Sequence, residues 1–317
     1  NGFMAEVCPF DNPEEFGKAP FDNLLATMGL NYISGVRTTQ SYAEADFSAF
    51  GDGRFRDFLP RNQDMFGQVR KYFDRAQMRQ LNAYVGRMGL LLDGLQNQCT
   101  TVLYFGIEDV QAKYTPKHDC EVGAQAIGCD LATLRLLRAM LDEGRDFLFA
   151  DAEDLTEIAR TGRLGGEEIR RILLPGLDVI RPEALAALRQ LKKAGVCVLF
   201  AEKLPHIDAL SGQQLQLAGE FEAVSVQEAV QIPDAQEPQF KTLSGPIVRQ
   251  ARYRTRDSKS MFFLLNPGRT ESVVRLPGAD ARRCTALDPF TGTITQERLN
   301  RDWTVPAVRG IFIIIEE

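Results

Sequence analysis

Glu6 closes the apolar run Phe3-Met4-Ala5, where a buried strand ends and its last side chain can meet substrate or solvent. A carboxylate delivered there can move a proton or attack as a nucleophile. Cleavage of a glycosidic bond by the usual route takes two such groups flanking the sugar, one as acid and one as nucleophile or base. Glu6 is the one strand-end carboxylate legible in the first segment, so its partner would have to come from elsewhere. On the residue alone, a solvated or helix-capping glutamate is the competing reading.

Three other chemistries have weaker support. Dinucleotide binding needs a series of glycines after a strand, and Gly106-Ile107-Glu108-Asp109 offers one. The acidic run Asp151-Ala152-Glu153-Asp154 then reads as a helix start. A glutamine-amidotransferase-like site needs a cysteine on a sharp turn above the sheet. The turn after Val196-Cys197-Val198-Leu199-Phe200 reads Ala201-Glu202-Lys203-Leu204-Pro205, with Cys197 inside the strand and His206 lacking a nucleophile to serve. Cys120 and Cys129 near His118 form no CxxC pair, so no metal site and no cofactor are expected.

The bulk properties narrow the partners. With 44% hydrophobic and 25% charged residues, the 317-residue chain has the balance of globular protein. A formal charge of -6 argues against a nucleic-acid partner, which would need a basic face. No run of about 18 apolar residues predicts a membrane span. The six cysteines (Cys8, Cys99, Cys120, Cys129, Cys197, Cys284) form no disulfide framework, which predicts reduced thiols and a cytoplasmic location.

The elements that must position these groups fall into three segments. Residues 1–98 hold two strand-like runs, Phe3 to Val7 and Leu30 to Val36, separated by one helix length. A loop follows from Ser41 to Asn62, and then a helix with Met78, Leu81, Val85, Met88 and Leu91 on one stripe, stopped by Gly94. Two β-then-α units cannot close a parallel sheet or a barrel, so the chain is expected to begin partway through one. Residues 99–232 alternate strand and helix, which predicts a parallel, doubly wound α/β sheet. Its strands are Val102–Phe105, Phe147–Ala150, Ile172–Leu174, Val196–Phe200 and Ala223–Val226. One helix is capped by Asp130 and carries Leu134, Leu137 and Leu141 to Gly144. Another begins at Pro182 with Leu185, Leu188 and Leu191 inward and ends at Lys192-Lys193 before Gly195. Residues 243–317 break into short strands separated by Asn266-Pro267-Gly268, Pro277-Gly278 and Asp288-Pro289, which predicts a small antiparallel β-sandwich.

Four stretches, Glu6 with Phe21 to Ile33, Tyr84 to Gly94, Arg145 to Asp151 and Leu287 to Gly292, resemble the carboxy-terminal half of large TIM-barrel glycosidases of the α-L-rhamnosidase and β-galactosidase-like kind. Glu6, followed by Phe21-Asp22-Asn23-Leu24 through Gly29-Leu30-Asn31-Tyr32-Ile33, is similar to their passage through the last two barrel strands. Tyr84, Arg87 and Leu91-Leu92-Asp93-Gly94 resemble a helix they carry. Arg145-Asp146-Phe147-Leu148-Phe149-Ala150-Asp151 resembles a strand of their middle domain, and Leu287-Asp288-Pro289-Phe290-Thr291-Gly292 a turn of their terminal sandwich. One departure is Val36-Arg37-Thr38-Thr39, where these enzymes often show a histidine. The resemblance implies the end of a TIM barrel, a flavodoxin- or amidotransferase-like domain and a β-sandwich. It further implies a carbohydrate substrate for the parent enzyme, with Glu6 as its late-strand catalytic carboxylate. The 317-residue chain alone is then expected to be inactive. Two alternatives stay open: a non-catalytic carbohydrate-binding or oligomerisation module that assembles through the α/β domain, and a diverged amidotransferase-like enzyme.

Overall fold

The computed structural model describes residues 3–7, 20–41, 75–114, 124–231 and 238–316. The chain divides into two compact units. One joins the first 95 residues to 239–250 and 254–317; the other is 96–238 with 251–253.

The first unit opens with β1 (Phe3–Val7), α1 (Pro20–Ile33), β2 (Val36–Ser41) and α2 (Arg75–Leu92). β1 and β2 are parallel, with Glu6 opposite Gln40. The expected strand from Leu30 is instead the last turn of α1. Leu24, Leu25, Met28 and Tyr32 are buried at helical spacing, and the helix stops at Gly35, which takes φ 94°. A short apolar run reads equally as strand or helix, and here the i, i+4 stripe decides. On α2 the buried stripe is Leu81, Tyr84, Met88 and Leu92, with Val85 and Leu91 only half-buried. Gly94 ends this helix at φ 67°. Nearly all of the segment from Ser41 to Asn62 lies outside the described residues, as does the side chain of Met78.

The second unit holds β3 (Thr101–Tyr104), α3 (Ile107–Lys113), α4 (Ala124–Asp142), β4 (Leu148–Ala150) and α5 (Ala152–Thr161). Next come β5 (Arg171–Leu174), β6 (Val179–Ile180), α6 (Pro182–Lys193), β7 (Cys197–Ala201), β8 (Ile207–Asp208), β9 (Ala223–Val224) and α7 (Val226–Gln231). Its parallel sheet runs β9-β7-β5-β3-β4, so the winding reverses between β3 and β5. Every residue of β3 and β5 is buried because helices cover both faces, which is why these strands read as unbroken apolar runs. Asp151 caps α5 by accepting from the Glu153 and Asp154 N–H groups at 2.9 Å each. α6 follows its sequence signals, from Pro182 to the turn at Gly195. α4 departs from them. It begins at Ala124, so Asp130 lies inside the helix, and Leu134 is 43% exposed. Too many apolar residues crowd this segment to choose a face by count; Ala132, Leu136 and Met140 form the buried stripe.

The remaining strands are β10 (Lys241–Ser244), β11 (Arg249–Arg254), β12 (Ser260–Leu265), β13 (Ser272–Arg275), β14 (Arg283–Asp288), β15 (Thr293–Arg298), β16 (Trp303–Val305) and β17 (Gly310–Ile315), all in the first unit except residues 251–253 of β11. These strands build two antiparallel sheets, one running β10-β13-β16 and the other containing β15-β14-β17-β12-β11. Phe262, Leu264, Val274, Trp303, Val305 and Ile313 share one core between them. Phe263 and Leu265 point to the opposite face. There Phe263 stacks on Phe312 at 4.5 Å, and Leu265 meets the backbone of α1 at Gly29. Two motifs noted in the sequence are also one contact: Arg87 of α2 donates to the Pro289 and Phe290 carbonyls at 3.0 Å each, and Tyr84 meets the Phe290 ring at 6.2 Å.

β17 comes close enough to β12 to exclude any side chain at Gly310. A Cβ there would lie 2.7 Å from the Leu264 carbonyl oxygen and closer still to the Phe263 ring. Gly310→Ala should therefore cost about 1–3 kcal/mol, read as a lower urea midpoint. An unchanged midpoint would refute this packing.

Candidate functional site

Glu6 is the next-to-last residue of β1, at the same sheet edge as Gln40 in the parallel β2. Its side-chain surroundings lie outside the described residues.

The second unit carries a site that sequence reasoning did not assemble. A cleft of about 650 Å3 opens beyond the carboxyl ends of β5 and β7, beside the point where the winding reverses. Open α/β sheets leave a crevice at that point because neighbouring connections depart to opposite faces. The turn after β3 leads into α3, whose first turn buries Glu108 and Asp109. Packing is tight at Gly106, where a Cβ would lie 2.9 Å from the end of the Leu177 side chain. Glu108 accepts from the Tyr104 hydroxyl, and burial together with the Glu108 charge pushes the Tyr104 pKa well above its ordinary value.

Asp109 is fully buried and ties three pieces together. Its Oδ1 accepts from the backbone N–H groups of Asp178 at 2.9 Å and Val179 at 2.8 Å, and its Oδ2 from Lys113 Nζ at 3.0 Å. Asp178 is thereby aimed into the cleft. Lys113 and Lys203 each donate to its carboxylate, and His206 Nδ1 lies 3.6 Å away. The backbone N–H groups of His206 and Ile207 close the ring onto the Asp178 carbonyl, at 2.9 and 3.0 Å. Burial works to raise the Asp178 pKa, but hydrogen bonds from Lys113 and Lys203, and their charges, hold it below the ordinary carboxylate range. The signal that could have found this site was present. Asp178 follows the buried run Ile172-Leu173-Leu174 through Pro175 and Gly176, the same strand-end logic that singled out Glu6.

At the turn after β7, Glu202 stands where an amidotransferase-like nucleophile would be expected. It takes φ 71° and is bound by Arg135 through two hydrogen bonds at 3.1 and 2.6 Å. Cys197 is half-buried at the first position of β7, whereas Cys99 and Cys284 are buried; burial pushes the Cys284 thiol up to about 11. Cys8, Cys120 and His118 lie outside the described residues, as does the side chain of Cys129. Among the described residues, no group of three or more His, Cys, Asp or Glu could hold a metal ion, and no helix is long and apolar enough to cross a membrane. Trp303, the one tryptophan, is 4% exposed and offers no stacking face to a sugar.

Solved structures of glycoside hydrolases match this chain in shape. A β-galactosidase from Bacillus circulans sp. alkalophilus matches over 100% of this chain and 56% of its own, with a TM-score of 0.58 and 11% identity. The α-L-fucosidase isoenzyme 2 from Paenibacillus thiaminolyticus matches over 99% of this chain and 60% of its own (TM-score 0.55, 12% identity). A GH42 β-galactosidase from G. stearothermophilus matches over 93% and 50% (TM-score 0.54, 10% identity). The chain thus spans between half and three-fifths of these proteins, and at such identities the likeness is one of fold. No family model matches the sequence, and no curated protein matches it.

The depressed pKa of Asp178 makes a pH prediction. A carboxyl whose folded pKa lies below its unfolded value contributes stability above the unfolded pKa and loses it as pH falls through the folded one. Between about pH 5 and pH 2.5, the native chain should lose more stability than Asp178→Asn, measured by urea denaturation at each pH. Parallel curves would show that Asp178 is not held ionised by its lysines.

Proposed function

We propose that this chain is the carboxy-terminal portion of a glycoside hydrolase, and that Glu6 is one of the two carboxylates that cleave the glycosidic bond. The observation that carries this reading is the extent of the fold likeness: all of the chain aligns with little more than half of a β-galactosidase. In this reading residues 1–98 are the end of a TIM barrel, 99–232 a flavodoxin- or amidotransferase-like domain and 243–317 a β-sandwich. Glu6 lies near the carboxyl end of β1, the end at which barrel enzymes gather their catalytic groups. It serves as nucleophile or base, and the proton donor comes from strands outside this sequence. A lone carboxylate cannot both protonate the leaving group and attack, so the chain by itself does not turn over. The substrate is a carbohydrate, and the protein works in the cytoplasm.

A second reading is an oligomerisation module acting through the α/β unit. Phe149 on the edge strand β4 is 52% exposed and meets the 41%-exposed Phe105 edge-on, the kind of apolar edge that proteins cover.

The test compares this chain with the full-length product of its gene on a panel of chromogenic aryl glycosides. Turnover should occur in the longer protein alone, and Glu6→Gln should lower kcat by about 1,000-fold or more. Turnover by the 317-residue chain, or full activity in Glu6→Gln, would overturn the assignment.

A further inference from the structure

The geometry points to the cleft around Asp178 as a binding site for a small neutral, hydroxyl-rich ligand such as a hexose. The inference stands apart from Glu6 and from hydrolysis, because the cleft lies wholly within the second unit. Its walls carry two lysines, Lys113 and Lys203, and two aspartates, Asp178 and Asp208, with His206 beside them. Those four formal charges cancel, and the buried Asp109 behind Lys113 adds a further negative one. An anion entering here would meet Asp178 and Asp208. A cation would have to displace a lysine from Asp178, which both lysines already neutralise.

A neutral polyol suits this balance. Each hydroxyl both donates and accepts, so adjacent hydroxyls can bridge a carboxylate and a neighbouring ammonium without separating the pair. The acceptors are held in place before any ligand arrives. The Asp178 backbone is fixed by Asp109, and Asp208 is fixed by accepting from the Leu210 and Ser211 N–H groups at 3.0 and 2.8 Å. Lys203 and His206 are about half exposed and can turn toward a ligand. Val179, Ile207 and Ala209 supply an aliphatic wall for the C–H face of a sugar ring. A volume of about 650 Å3 is ample for one or two hexose rings and lies within the usual range of ligand sites.

The test is a titration of the 317-residue chain, followed by calorimetry and by amide chemical shifts. Its probes are D-galactose, L-fucose and lactose, with inorganic phosphate and methylammonium as charged controls. A sugar should bind saturably at about millimolar Kd. Lys203→Met and His206→Ala should each weaken it at least tenfold. Both cleft side chains are half exposed, so circular dichroism should show both variants folded. The proposal fails if phosphate or methylammonium saturates the cleft instead, or if no sugar saturates by about 100 mM. It fails equally if binding survives both cleft variants undiminished. That last pattern would put the sugar outside the cleft and leave the hydrolase reading intact.

Discussion

The second unit depends on one buried carboxylate. Asp109 accepts two backbone N–H groups from the loop after β5 and the ammonium of Lys113, and it does so with no exposure to water. Burying that charge is tolerable because three donors converge on it; without the carboxylate the Asp178 and Val179 N–H groups would lose their acceptor. The same bonds decide where Asp178 points, and Asp178 in turn gathers Lys113, Lys203 and His206 around the cleft. The polar centre is therefore an extension of the interior, reached through a chain of hydrogen bonds.

In the first unit the corresponding constraint is apolar. β12 and β17 are buried almost throughout because their sheet is covered twice, by the β10-β13-β16 sheet on one face and by α1 on the other. Tyr84 and Arg87 on α2 hold the Asp288-Pro289-Phe290-Thr291-Gly292 turn, so residues some two hundred positions apart share one contact. This contact gives a physical reason for both motifs.

Much of the α/β unit was legible in the sequence. Strands buried on both faces are continuous apolar runs, and α6 has a proline at its start and lysines with a glycine at its end. The readings that failed have specific causes. Leu30 to Val36 was apolar enough for a strand, but its burial followed a helical stripe begun at Leu24. Asp130 had the composition of a cap, yet α4 already runs from Ala124. The cleft was hidden for a different reason. Asp109, Asp178 and Lys203 are far apart in the chain, and only the strand order brings their loops to one edge. Glu6 was legible as a strand residue, and it stands near the carboxyl end of β1.

The first unit is assembled from both ends of this sequence, with almost the whole second unit strung between them. During synthesis, α1 and its apolar stripe of Leu24, Leu25, Met28 and Tyr32 emerge more than two hundred residues before β12 and β17, against which their unit closes. The second unit is nearly contiguous and can mature while that partner is still unmade. Closing so long a loop adds little to the equilibrium cost, since the entropy grows only with the logarithm of length. The delay matters instead for time: the face of α1 that meets Leu265 at Gly29 cannot be covered by β12 until that strand is made.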